Sequence, residues 1–410
     1  MTRPEECTRC GARTDLAAQF CGTCGQACAT APPTPAKRRS ILWTVGSLAT
    51  GVIATLVTRA KRPATPAATP VSGAPMANKV GPAPAIVPSP VAGQLRIIVD
   101  ANGQGDHQTL NAAIANATDG ALIVVRPGVY AETIRISKDV TIFGDGDHTR
   151  VVLVSEGPVT VTLEAGRAVI RNMTLRTSGT SAQGVVLVTT GAPMLADCDI
   201  SSATGAGIFL QGPTSNPMIV RCTIHDCRGS GFLVTDQAKG TIVDCVVYGN
   251  GLSGFQIREG GNPSVRACLI RDGKEGGVFI YDRGLGLIEN CDIAGNTNSG
   301  VRIARGSTPI LRDCVIRDGK QAGVYVYEQG RGTIEKCDIH GNTNSGISVS
   351  TGGSPVVRDC AINDNRGPGV YVYDRGEGTF AGCTLRGNGP GAWKIEAGSS
   401  LVRTGNVPNE

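Results

Sequence analysis

Between Cys198 and Cys383, short apolar runs alternate with polar breaks of Gly, Asn, Asp and Ser. The runs are two to five residues long and rich in β-branched side chains, as in Ile347 to Val349 and Val356 to Val357. No stretch in this region has the length or the 3.6-residue period of a helix, so the pattern predicts strands joined by corners. The pattern also repeats. Setting CDIAGNTNSGVRIARGSTPILRD, from Cys291, over CDIHGNTNSGISVSTGGSPVVRD, from Cys337, lays run on run and corner on corner. Nine cysteines carry this register: Cys198, Cys222, Cys245, Cys268, Cys291, Cys314, Cys337, Cys360 and Cys383, with one interval of 24 residues and seven of 23.

A fixed period in the low twenties marks a unit that cannot bury its apolar face alone and must stack on its neighbours. About 23 residues suffice for one turn with three short strands, and successive turns would pair in parallel ~4.8 Å apart. The predicted fold is all-β, a single-stranded right-handed parallel β-helix of roughly 12 coils and ~58 Å. Stacked cysteines point the same way, whereas a disulfide needs Cβ vectors that face each other, so the column reads as a buried thiol ladder. Five residues after the cysteine stand Asn250, Asn296, Asn342 and Asn388 in alternate coils, with Cys227, Gly273, Gly319 and Asn365 between them. Stacked Asn suits a corner. The true period is therefore the double coil of 46 residues.

The double coil brings out one face. Alternation sends Val324 and Val326 inward and Tyr325 and Tyr327 outward, and likewise places Phe279, Tyr281, Tyr371 and Tyr373 outside. Coils between them put Gln256, Arg258, Arg302, Ser348 and Lys394 in the same columns. This aromatic and polar stripe suits stacking on sugar rings or on an extended partner, and serves equally as a cross-coil ladder that stabilises the sheet. The acids that follow it, Asp236, Asp282, Glu328 and Asp374, recur once per repeat. That repetition argues for a corner rather than a singular catalytic pair. Trp393 stands where Ile347 stands in an earlier coil and is read as a plug over the last full coil.

The charge of +5 is uneven, because residues 1–62 hold nine Lys/Arg against three Asp/Glu. A nearly neutral repeat region argues against a nucleic-acid partner. Ahead of it, Cys7-x2-Cys10 and Cys21-x2-Cys24 form two paired-thiolate knuckles that suit a structural zinc ion with four thiolate ligands. Ser40 to Thr58 is uncharged and flanked by basic residues, just long enough to span a bilayer. Ser47, Gly51 and Thr55 give it a small-residue face that allows self-association. Thiolates favour the reducing cytoplasm, which places the ribbon inside and the β-helix outside a cell membrane crossed once. The expected organisation is a zinc ribbon at 1–28, a basic linker at 29–39, a transmembrane helix at 40–58, a Pro/Ala-rich tether at 59–94 and the β-helix at 95–405.

CTRCGARTDLAAQFCGTCG resembles the small zinc ribbons at the N-termini of many prokaryotic membrane proteins. Leu95 to Asp147 resembles the opening of pectin-lyase-like proteins, including pectinesterases, which implies a capping helix around Thr109 to Ala117. The 46-residue units resemble β-helix repeats of the carbohydrate-binding and sugar-hydrolase type, also found in F-box β-helix proteins and bacterial relatives. The Gln-Asp-Thr and Trp-x-Arg-Pro segments of pectinesterases and the Asn-Thr-Asp and Gly-His-Gly segments of polygalacturonases are absent. Catalysis, if present, belongs in the irregular coils between Asp145 and Gln211. The sequence thus favours a membrane-tethered, non-enzymatic module that presents its stripe to a polysaccharide or protein. A polysaccharide lyase or hydrolase, or an intracellular scaffold, is the alternative.

Overall fold

The computed structural model describes residues 93–180 and 183–408. The four cysteines expected to hold zinc, the segment 40–58 expected to cross a membrane and most of the expected tether at 59–94 lie outside these residues. Among the described residues no helix is long and apolar enough to cross a membrane.

Three parallel sheets of 14, 12 and 11 strands run the length of the domain, and each circuit contributes one strand to each sheet over most of that length. Strand pairing is parallel throughout and wound right-handed, as parallel crossovers are. Fourteen strands in the largest sheet make 13 steps, so there are about 13 turns rather than roughly 12. The extra turn is the first. It lies ahead of the cysteine ruler, with a helix in one corner between the strands Arg96–Val99 and Leu122–Val125.

That helix, Leu110–Asn116, closes the N-terminal end over the core with Leu110, Ala113 and Ile114 buried. Its dipole is met at both ends. Thr109 caps it, the Glu132 carboxylate accepts from Leu110 N (2.8 Å) and Asn111 N (3.0 Å), and Lys138 Nζ donates to three carbonyls of the last turn. At the other end Trp393 pairs with Val370 in the inward column and meets Phe380 edge-on at 5.5 Å. Its Nε1 donates to Pro408 O at 3.1 Å.

The interior is one continuous apolar column, and the cysteine ladder is part of it. Each ladder thiol is at most 2% exposed and leans on the carbonyl two residues before it, as Cys268 does on Arg266 O (3.2 Å). The same column holds Met173 below the first cysteine and Asn406 above the last, whose Oδ1 accepts from Cys383 N. The residue before each rung is left-handed, from Asn172 (φ 60°) through Arg221 (51°) and Ala267 (50°) to Gly382 (66°). A left-handed residue turns the corner while its N–H stays in the ladder, as with Asp244 N to Arg266 O.

The second corner explains the double period. Its left-handed position alternates as Asp226, Gly249, Asp272, Gly295, Asp318, Gly341, Asp364 and Gly387. A Cβ on Gly295 would lie 2.7 Å from Asp272 Oδ1, and one on Gly341 2.6 Å from Asp318 Oδ1. Each Asp carboxylate fills the space the next coil leaves open. The asparagine column follows immediately. Asn296 Oδ1 accepts from Gly273 N of the coil below (3.0 Å), and its Nδ2 faces Ile270 O (3.4 Å).

Candidate functional site

The strands Val278–Ile280, Val324–Val326 and Val370–Val372 bury their valines and isoleucine and leave the stripe outside, as alternation requires. The aromatic pairs are half-buried and stacked on themselves. Ring centroids are 4.3 Å apart in Phe279–Tyr281, 4.5 Å in Tyr325–Tyr327 and 4.6 Å in Tyr371–Tyr373. Cations from the intervening coils cover further ring surface: Arg302 lies 4.1 Å from the Phe279 centroid and Lys394 4.3 Å from that of Tyr371. Much of the ring face is thus used within the stripe. Hydroxyls and ring edges remain, with Tyr373 Oη donating to Tyr325 Oη (3.1 Å) and Tyr325 Oη in turn 2.9 Å from Ser350 Oγ. Burial raises the phenols of Tyr281 and Tyr327 and pushes Tyr325 up to about 12, so all three hydroxyls keep their protons at neutral pH.

Arg258 and Arg302 sit in the stripe beside acids, with Arg258 3.6 Å from Glu259 and Arg302 3.4 Å from Glu275. The Nε atoms of both arginines are buried without a hydrogen-bond partner. The repeated acids are corner residues: Asp236, Asp282, Glu328 and Asp374 have φ between 45° and 54°, each followed by a second left-handed residue. Arg305 joins two of them, at 3.5 Å from Asp282 and 2.9 Å from Glu328.

Register extends the stripe beyond the tyrosines. Leu187, Phe209 and Leu233 precede Gln256 and Phe279 in the same outward column and are half-buried. Period reading overlooked them because these coils have strands of four to six residues and no Gly-Val-Tyr signature. The outward alternation of Gly184–Val188 against Ala206–Gln211 was the available signal.

The irregular coils carry a separate feature. Two adjoining clefts of about 420 and 450 Å³ share Val154 and Ser178 and are lined by Thr133, Ser155, Arg176 and Ser201 among others. At one end His225 lies between two carboxylates, Nε2 3.1 Å from Asp199 and Nδ1 2.8 Å from Asp226. Tyr248 stacks on the imidazole at 5.1 Å. The hydrogen bond to Asp199, joined by that to Asp226 and opposed by burial, raises the His225 pKa. The same frame recurs further along with arginine in place of histidine, where Arg317 bridges Asp292 (2.9 Å) and Asp318 (2.8 Å). Among the described residues no group of three His, Cys, Asp or Glu is arranged to hold a metal ion. Cys7, Cys10, Cys21 and Cys24 lie outside them.

The family model described as "Right handed beta helix region" matches residues 155–268 and again 253–407. Similar solved structures include the Agl-KA catalytic domain, at 14% identity and TM-score 0.61 over 77% of this chain and 69% of that one. They also include the catalytic domain of a GH87 α-1,3-glucanase in complex with nigerose, at 14% identity and TM-score 0.60 over 79% and 70%. At such identity the likeness is one of fold. No curated protein matches the chain.

Proposed function

The chain belongs to the right-handed β-helix family, and from that premise we propose that it is a binding module offering the stripe of its 12-stranded sheet to a polysaccharide. The observation that carries this reading is the recurrence of three stacked aromatic pairs, in register, on one outward face. Binding sites for sugars combine aromatic surface with fixed polar groups, and the stripe offers ring edges and tyrosine hydroxyls beside Arg258 and Arg302. The sugar-bound glucanase of similar fold supports a glycan as the class of ligand. The proposal extends to the rest of the chain. Residues 40–58 would anchor it in a membrane, a zinc ion on Cys7, Cys10, Cys21 and Cys24 would fold the ribbon on the cytoplasmic side, and the tether would hold the β-helix outside.

One observation favours hydrolysis as a second reading: the clefts border the irregular coils, and the Asp199–His225–Asp226 group stands at one end of them. The Arg317 frame weighs against it, since the same arrangement recurs where no histidine is present. A single experiment separates the two. Full-length protein is incubated with a panel of insoluble polysaccharides, and both retention and release of reducing ends are measured. Retention without release, lost on replacing Tyr325, Tyr327 and Tyr371 by Ala, is the expected result. Unchanged retention in that variant would remove the stripe as the contact, and release abolished by Asp226→Asn would establish the hydrolase.

A further inference from the structure

The face that bears the stripe is narrow and long, and this shape constrains what can lie on it. Its strands from Phe255 onward are three residues each, while the outward column runs in unbroken register from Leu187 through Phe279 and Tyr325 to Lys394. An extended polymer therefore gains contacts only by running along the coil axis. Along that axis the coils step by ~4.8 Å, close to the advance of one pyranose ring in a stretched, equatorially linked chain. Chemically equivalent features return every second coil, at ~9.6 Å, because aromatic coils alternate with coils bearing Arg302, Ser348 and Lys394. A polysaccharide with a twofold screw turns the same ring edge to a surface every second residue, so its repeat matches that of the stripe.

Charge narrows the class further. The cations in the stripe columns each lie beside an acid, Arg258 with Glu259, Arg302 with Glu275 and Lys394 with Glu396, and Arg305 at the adjoining corner meets Glu328. A carboxylated or sulfated polymer would have to displace those acids from their cations, whereas a neutral one would only exchange hydrogen bonds among uncharged hydroxyls such as those of Tyr325, Tyr373 and Ser350. We infer that the ligand is a neutral β-1,4-linked polysaccharide lying along the coil axis, one sugar per coil, in a two-residue register. This inference rests on the binding reading above and specifies its ligand.

The test is a length series. Binding of cello-, manno- and chito-oligosaccharides of two to eight residues to the full chain is measured by calorimetry, with malto-oligosaccharides and oligouronates for comparison. Affinity is expected to rise roughly two- to tenfold with each added pair of sugars, and little with the odd residue, until the three aromatic pairs are covered. Tyr327→Ala is expected to remove one such step, and Tyr327→Phe to lose the hydroxyl's share alone. Unfolding curves matching the wild type show that both variants keep the coil. Equal increments for odd and even lengths or a plateau at two sugars would overturn the two-residue register, and preference for oligouronates or malto-oligosaccharides would overturn the neutral β-1,4 class, each leaving glycan binding intact. Binding of no sugar at all would sink the underlying reading as well.

Discussion

His225 shows how much one side chain can change within a repeated frame. Its two ring nitrogens face Asp199 and Asp226, an arrangement that satisfies both only when the ring carries two N–H groups. Burial pushes the Asp199 carboxyl up, but the hydrogen bond to His225 and the surrounding cations outweigh it and hold the group below its ordinary range. The histidine's folded pKa lies above its ordinary 6.5. A raised value means that the stabilisation is complete in mildly acid solution and is lost as pH climbs through the folded value. Arg317, in the equivalent frame, keeps its charge throughout. The melting temperature of the wild type should therefore fall as pH rises from about 6.5 into the alkaline range. That of His225→Arg should fall less. Parallel curves for the two proteins would show that the imidazolium is not what holds the frame.

At the scale of the element, corners rather than strands give the coil its identity. Strand interiors are mostly Val and Ile with some Leu and Phe, while the corners are set by left-handed residues and buried cross-coil contacts. Asn342 is the clearest case: it is fully buried, its Oδ1 accepts from Gly319 N at 3.0 Å, and its Nδ2 reaches Ile316 O at 3.2 Å and Asn365 Oδ1 at 2.9 Å. Asn342→Ala leaves these groups unpaired inside the coil and should lower stability by about 2–4 kcal/mol in denaturant unfolding. A loss below half a kilocalorie would mean that the corner is held by backbone alone. The Asn and Cys columns were legible in the sequence because each uses one residue type at one spacing. The left-handed column before the cysteines was not, since it is filled by Asn, Asp, Arg, Ala, Lys and Gly alike. Its conformation is imposed by the stacked coils, where cross-coil bonds offset about 1 kcal/mol of intrinsic penalty per residue. The stripe was legible as a set of outward residues. Its self-stacking was not, because alternation gives the side of the sheet and not the rotamer.

Over the whole molecule, one chemical property sorts the chain into its parts. There are fifteen cysteines, and the ten in the β-helix are free and buried. The other five are Cys7, Cys10, Cys21, Cys24 and Cys28. All ten thiols of the β-helix are at most 2% exposed, so a reagent in solution does not reach them in the native coil. If four thiolates hold zinc, titration with a maleimide or dithiobisnitrobenzoate should count near one thiol in the native protein. Chelation of the metal should raise the count to five, and denaturation to fifteen. Cys10→Ser with Cys21→Ser should abolish bound zinc and leave the thermal unfolding of the β-helix unchanged. Five fast thiols before any chelator is added would remove the zinc ribbon. More than five without denaturant would mean that the coil opens locally, and the ladder would then be a source of reactivity instead of packing. The same reagent in a membrane-impermeant form, applied to intact cells with one cysteine engineered between residues 65 and 90, reads the orientation. Labelling there is expected if the ribbon is inside and the β-helix outside, and protection there would move the coil and its stripe into the cytoplasm.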